Sequence, residues 1–371
     1  MSATAIDTLL RRAYDEGINL VGVKPAVLPG RGIGLVATRV LDKGDEIMTI
    51  PLRSVRSLDT TPEEISRSLS QDMTIHGRLA SELALHPQSV AEWLSVVPRW
   101  KDFEECMPIL WPESLQKLLP PEAMSVLAKQ KKNFDIDWNM FRAVFTKVQR
   151  RDYLYAWLLV NTRTFYFETA SMLAFPWHDR LALLPVADLF NHADAGCSVS
   201  FSPEGYTITA DGPYRAGEEI CISYGQHSND YLLAEYGFLL QENRWDAICL
   251  DQVLLPRLSG EERSELERNG HLGGFMLHAK SKKVDSVWIA LRLHCCVDAQ
   301  WQNYRDGEED AEGTLAKAAA LLADLLEEYL GRVKEVLAVV RTLQHGKACQ
   351  KDLLVRRWEQ VEVLVGQAAV T

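Results

Sequence analysis

Residues 184–240, LPVADLFNHADAGCSVSFSPEGYTITADGPYRAGEEICISYGQHSNDYLLAEYGFLL, constrain the fold more than any other part of this chain. Short runs at 198–201, 206–210 and 219–223 are separated by Pro, Gly and Asp residues, which is the pattern of strands joined by turns. A polar pair, Asn191-His192, precedes the first run. Ser223-Tyr224-Gly225 closes the last, and Tyr236-Gly237-Phe238 follows. That order is compatible with one pocket.

The amino-terminal part has a matching strand pattern. Residues 36–40 and 46–50 read as strands around a Lys43-Gly44-Asp45 turn, the second closed by Pro51, and the glycine-rich run Gly30-Arg31-Gly32-Ile33-Gly34 precedes them. From 63 to 161 the apolar spacing becomes helical, with Phe141, Val144, Phe145, Val148, Asp152 and Tyr155 at intervals of three to four residues. Pro108, Pro112, Pro120 and Pro121 divide these helices. After residue 240 the chain again reads as mostly helix. Within 313–340, Leu322, Leu325, Tyr329, Val333 and Leu337 form a stripe despite Gly331. The predicted class is α+β, a strand-built core interrupted by a helical insertion and followed by a predominantly helical C-terminal domain.

Composition narrows the function. With 371 residues, 47% hydrophobic and 25% charged, the chain is globular and of a length for two or three structural units. No stretch approaches the apolar length needed to span a bilayer, and MSATAIDTLLRRAYDEG lacks the layout of a secretory signal. An intracellular protein, cytoplasmic or nuclear, without membrane contact, is therefore expected. Seven Cys residues without a paired CxxC spacing suggest neither a disulfide framework nor structural zinc, and Cys295-Cys296 reads as part of a buried helix. The net charge of −11 disfavours direct nucleic-acid binding and is compatible with steering a basic protein tail into a cleft.

Each polar motif suits a particular task. Glycines at 30–34 permit a tight turn and let backbone groups approach the methionine portion of a cofactor, although a plain turn before a strand has the same sequence. Asn191 offers a donor and an acceptor to the polar end of a cofactor, while His192 offers ring nitrogens and nearby backbone to an adenine edge. Asp188 and His192 alone do not make a metal site, and none is expected. Tyr224 is the leading catalytic candidate, because a phenolic oxygen at a strand end can orient a target amine. Tyr236 and Phe238 suit an apolar wall of the pocket as well as they suit the core.

Taken together, these motifs resemble the SET-domain methyltransferases, specifically the RuBisCO large-subunit methyltransferase-like branch. The resemblance implies a split SET core across residues 22–240, with an insertion at about 63–161, and a helical substrate-recognition domain across 242–371. It implies S-adenosyl-L-methionine as cofactor, with Arg31, Gly32, Ile33, Gly34, Asn191, His192, Tyr236 and Phe238 as its contacts and Tyr224 as the catalytic residue. Thr162-Arg163 is similar to the Ser-Arg element of that branch, which implies that Arg163 meets the cofactor carboxylate. Thr162 departs from the commoner Ser, keeping the hydroxyl but adding bulk.

The expected reaction is methyl transfer to a lysine of a protein substrate. A protein-histidine N-methyltransferase is the alternative enzyme, since the related branch acts on histidine and an imidazole needs a broader site that fixes its tautomer. The non-enzymatic alternative is a module that binds lysine peptides or methyl-lysine.

Overall fold

The computed structural model describes residues 3–278, 285–295, 301 and 313–368. The chain divides into two compact units, Met1–Phe103 with Lys129–Gln226, and Glu104–Ala128 with His227–Thr371.

The first unit draws its strands from both sides of the helical segment. β1 (Asn19–Leu20), β2 (Val23–Leu28), β3 (Gly32–Ala37) and β4 (Glu46–Pro51) precede it. After it come β5 (Thr164–Tyr166), β6 (Leu181–Leu183), β7 (Asn191–Ser202), β8 (Gly205–Thr209) and β9 (Glu219–Ile222). Seven of these form one sheet in the order β1-β4-β8-β7-β9-β3-β2, while β5 and β6 pair separately. Because β4 pairs with β8 and β3 with β9, each half completes the hydrogen bonding of the other. This is the split α+β core expected from the sequence.

β7 and β9 run parallel, with Asn191 opposite Cys221 and His192 opposite Ile222. The register then shifts so that Cys197 also faces Ile222. Gly196 makes the return possible, since a Cβ there would lie 2.5 Å from the Cys221 carbonyl oxygen. The pairing brings Asn191-His192 alongside the strand that leads directly into Tyr224.

Between the strand groups the chain is helical from Glu63–Ser68 through Arg150–Arg163. Helices Ile75–Leu85 and Arg150–Arg163 lock together where His76 stacks on Trp157 at 4.1 Å and the Tyr153 hydroxyl donates to the Gly77 carbonyl at 3.2 Å. The buried carboxylate of Asp137 accepts from Trp157 Nε1 at 3.0 Å and from the Thr74 hydroxyl at 2.9 Å. Burial raises Asp137 to about 6 and lowers His76 to about 4. Such anchoring fixes the helix whose last residue is Arg163.

The single helical stripe expected from Phe141 to Tyr155 is divided instead. One helix ends at Val144 and the next begins at Arg150, with Val144 and Asp152 both exposed. The second doubles back so that Tyr153 stacks on Phe141 at 4.3 Å and Trp157 meets Phe134 edge-on at 5.7 Å. No Gly or Pro interrupts residues 145–149, so the apolar spacing runs on across a reversal that only packing reveals.

The second unit contains the antiparallel pair β10 (Ala247–Cys249) and β11 (Met276–His278) with helices Ser286–Cys295, Gly313–Thr342 and Ala348–Ala368. Leu322, Leu325, Tyr329, Val333 and Leu337 are all buried, as their spacing predicts. Cys295 ends its helix partly buried; Cys296 lies outside the described residues, as does Thr371, the expected end of the C-terminal domain.

Residues 104–128 and 227–240 pack with this second unit. Arg357 supplies the physical reason. Its guanidinium is fully buried and pairs with Asp230 and, at 2.7 Å, with Asp246. A buried cation deprived of its carboxylates is strongly destabilising, so the segment carrying Asp230 stays with the C-terminal helix. Likewise Gln350 Nε2 donates to the Glu104 carbonyl at 2.7 Å and Trp358 Nε1 to the Leu118 carbonyl at 2.8 Å. No helix among the described residues is long and apolar enough to cross a membrane.

Candidate active site

The glycine turn uses its glycines for two different reasons. Gly30 (φ 72°), between β2 and β3, and Gly32 (φ 75°), the first residue of β3, occupy the left-handed region, with no heavy atom within 4 Å of where a Cβ would sit. Their requirement is conformational. Gly34 has ordinary backbone angles and is needed for space: a Cβ would lie 2.6 Å from Leu28 Cδ1, 2.7 Å from Asn191 Nδ2 and 3.0 Å from Glu219 Oε1. Ile33 between them is buried in the core.

Glu219, the first residue of β9, joins the turn to the Asn-His pair. Its Oε1 accepts from Asn191 Nδ2 at 2.8 Å, and its Oε2 meets Arg31 Nη1 at 2.9 Å. Arg31 also donates from Nη2 to the His192 carbonyl at 3.1 Å. Cys221, two residues along β9, lies with its Sγ 3.9 Å from Arg31 Nη2, and burial pushes its thiol up to about 11, so it stays protonated.

His192 is buried and its Nδ1 accepts from the Tyr224 backbone N–H at 3.0 Å. That bond assigns the ring proton to Nε2. Its ring also lies against the Tyr224 ring at 4.9 Å, so the imidazole supports Tyr224, and Nδ1 is not left to read an adenine edge.

Tyr224 donates its hydroxyl proton to the Phe190 carbonyl at 2.6 Å. A phenol has one proton to give, so toward a further group this oxygen can only accept. Burial raises its pKa above the ordinary tyrosine value, which favours the neutral phenol over the phenolate.

Arg163 is tied to the same turn. Its Nη1 donates to both the carbonyl and Oδ2 of Asp188, each at 2.9 Å, and Trp93 Nε1 donates to Oδ2 at 2.8 Å. Burial raises the Asp188 carboxyl above its usual value, opposed by Arg163 and Trp93. Arg163 Nε and Asp188 Oδ1 are buried without a hydrogen-bond partner among the described residues. The turn Ala187–Leu189 follows Val186, whose φ of 72° is the one positive value at a non-glycine among the described residues. A β-branched residue there stores strain, and fully buried Val186 is held by its packing. One short turn thus receives both Arg163 and Tyr224. Thr162 donates its hydroxyl back to the Leu158 carbonyl at 2.8 Å.

The structure therefore gathers Arg31, Gly34, Asn191, His192 and Tyr224 into one cluster of the first unit, with Arg163 linked through residues 188–190. Tyr236 and Phe238 lie in the second unit, 6.1 Å apart, beside His227 and Tyr231, whose rings stack at 4.1 Å. Gly237 between them caps helix Asn229–Tyr236 at φ 77°, and a Cβ would lie 2.8 Å from Cys106 Sγ. Sequence reading missed Glu219, Trp93 and the structural use of Asp188. The Gly217-Glu218-Glu219 turn was visible as the start of a strand, but nothing in it marked which carboxylate faces Asn191.

The chain matches the SET domain over residues 32–225 and belongs to the SET-domain family. It is 34% identical over 142 residues to a ribosomal lysine N-methyltransferase of Schizosaccharomyces pombe, an alignment covering 38% of this chain and only 36% of that protein. Human SET domain-containing protein 4 is 24% identical over 379 residues, covering 92% of this chain and 83% of that one. An actin-histidine N-methyltransferase of Danio rerio is 24% identical over 302 residues, covering 75% of this chain and 50% of its own length. The fold is similar to the SET domain of LSMT solved with lysine and AdoHcy, with a TM-score of 0.66 at 17% identity over 99% of this chain and 90% of that one.

Proposed function

We propose that this chain transfers a methyl group from S-adenosylmethionine to a lysine side chain of a protein substrate, as a member of the RuBisCO large-subunit methyltransferase-like branch. The observation that carries this reading is the convergence of the glycine turn, Asn191-His192 and Tyr224 on one site, held together by Glu219 and Arg31. The similarity of fold to LSMT solved with lysine and with AdoMet supports it.

The residues suit the donor. The Arg163 fork carries five N–H donors and engages Asp188 through Nη1 alone, with Nε buried and unpartnered among the described residues, an arrangement suited to a carboxylate. Space around Gly32 lets a ligand approach the main chain. When bound, S-adenosylmethionine supplies a methyl group made electrophilic by its sulfonium. Arg163 would hold its carboxylate, and Asn191, whose Nδ2 is held by Glu219, would present Oδ1 to its ammonium. Tyr236 and Phe238 are assigned to the donor on the strength of the Tyr-Gly-Phe motif alone.

A lysine nitrogen must be neutral to attack, and its ordinary pKa of about 10.4 falls when the amine is desolvated. Tyr224 accepts an N–H of that amine and so aims its lone pair, while bulk water takes the proton. Residues 242–371 are assigned to substrate recognition; cross-links from a bound substrate should map to peptides of that region.

The deciding experiment incubates the protein with isotopically labelled S-adenosylmethionine and a native protein extract, then locates the label by mass spectrometry. Label on lysine supports the proposal. Label on histidine selects the activity named for the Danio rerio relative. Cofactor binding with no labelled protein selects a binding module.

A further inference from the structure

We infer that Glu219 is a positioning residue for the methyl-donor site, its carboxylate holding the Asn191 amide and the Arg31 guanidinium in the orientations they present to the donor. The inference rests on the proposed function above. An asparagine amide is two-faced, with donors on Nδ2 and an acceptor at Oδ1. A carboxylate only accepts. With Glu219 Oε1 at 2.8 Å, the amide is fixed with Nδ2 inward, and Oδ1 is the atom offered to other partners. The reversed amide would set two acceptors against each other.

The second carboxylate oxygen, 2.9 Å from Arg31 Nη1, draws the glycine turn onto β9, and Arg31 in turn binds the His192 carbonyl. Two separate segments, 30–34 and 191–192, therefore converge on the one carboxylate of Glu219. Gly34 leaves no slack beneath them, since a Cβ would press on both Asn191 Nδ2 and Glu219 Oε1. Arg31 also offsets the charge of Glu219, so the ion pair does not repel the donor's own carboxylate.

An ion pair that served only stability would not act through Asn191, and this separates the two possibilities. Calorimetric dissociation constants for S-adenosylmethionine are measured on the full-length wild type, Glu219→Ala, Glu219→Gln, Asn191→Ala and the Glu219→Ala/Asn191→Ala pair. Glu219→Ala is expected to weaken binding about tenfold or more. Glu219→Gln keeps an acceptor for Asn191 Nδ2 but sets an amide N–H2 against the Arg31 guanidinium, and should recover only part of the affinity. The double variant should bind only slightly more weakly than Asn191→Ala, because both changes remove one arrangement. Binding by Glu219→Ala within about twofold of wild type, or losses that multiply in the double variant, would overturn the inference. If Glu219→Ala does not fold, Glu219→Asp, which withdraws the carboxylate by one methylene, carries the same expectation. A wild type that binds no S-adenosylmethionine would overturn the proposed function itself, and its constant is therefore measured first.

Discussion

The Tyr224 hydroxyl donates to the carbonyl oxygen of Phe190 at 2.6 Å. Both residues belong to the first unit, one just past the end of β9 and the other at the close of the turn that also receives Arg163. The bond turns a phenol able both to donate and to accept into one that can only accept from a substrate. Tyr224→Phe should therefore lower kcat by about a hundredfold or more, the scale of losing one oriented polar contact in a transition state. The donor's dissociation constant should change little. Losing the partner of the Phe190 carbonyl should also cost about 1–3 kcal/mol of stability. Single-turnover rates on the identified substrate, with melting curves beside them, check both; unchanged turnover in a folded variant would remove Tyr224 from the chemistry.

Arg163 and Asp188 make a second prediction. Replacing Arg163 by Ala should weaken S-adenosylmethionine binding about tenfold or more through loss of a charged hydrogen bond. The same change leaves a buried carboxylate without its cation, which costs about 3–5 kcal/mol. Arg163→Ala combined with Asp188→Asn should recover part of the stability but none of the affinity. Chemical denaturation and calorimetry on the same samples separate the two effects.

Gly32 and Gly34 should respond differently to alanine. At Gly32 the change forces a Cβ into a left-handed backbone at about 1–2 kcal/mol with no steric contact. At Gly34 the Cβ strikes Leu28 and the Asn191 amide, so a stability loss of about 1–3 kcal/mol should come with a clear loss of donor affinity. Equal affinities for the two folded variants would contradict the packing around Asn191.

A pH dependence is built into the second unit. Glu122 accepts from the Ser228 hydroxyl at 2.6 Å, and burial, aided by Asp230 and Asp246 and opposed by Ser228 and Arg357, raises it to about 7. A carboxyl raised above its unfolded value of 4.5 binds its proton more tightly when folded. Its contribution is full below pH 4.5 and lost as pH rises to about 7. Glu122→Gln stays neutral and keeps an acceptor for Ser228. Its stability relative to wild type should rise between pH 5 and 8, by at most about 3 kcal/mol. A pH-independent difference in urea midpoints would contradict the titration of Glu122 and leave the wild type's own pH dependence to other groups, such as Asp137 and His76, which act in opposite directions.

The sequence by itself determined the elements whose information is local. Turn glycines, alternating runs and the stripe at Leu322, Leu325, Tyr329, Val333 and Leu337 each follow from backbone angles or from the period of a helix or strand. The candidate site was legible to the same extent: Gly34, Asn191, His192 and Tyr224 stand in motifs, and the structure brings them to one place. Tertiary structure decided everything that depends on which distant groups meet. The Phe141 to Tyr155 stripe was split because Tyr153 folds back onto Phe141, a reversal invisible to a periodicity. Residues 227–240 joined the C-terminal helices because a buried Arg357 needs Asp230 and Asp246 together. Glu219 rather than its neighbour Glu218 came to face Asn191 because the β3, β9 and β7 pairings set its side chain toward the glycine turn. Charge pairing and strand register join residues far apart in the chain, and no local pattern records them.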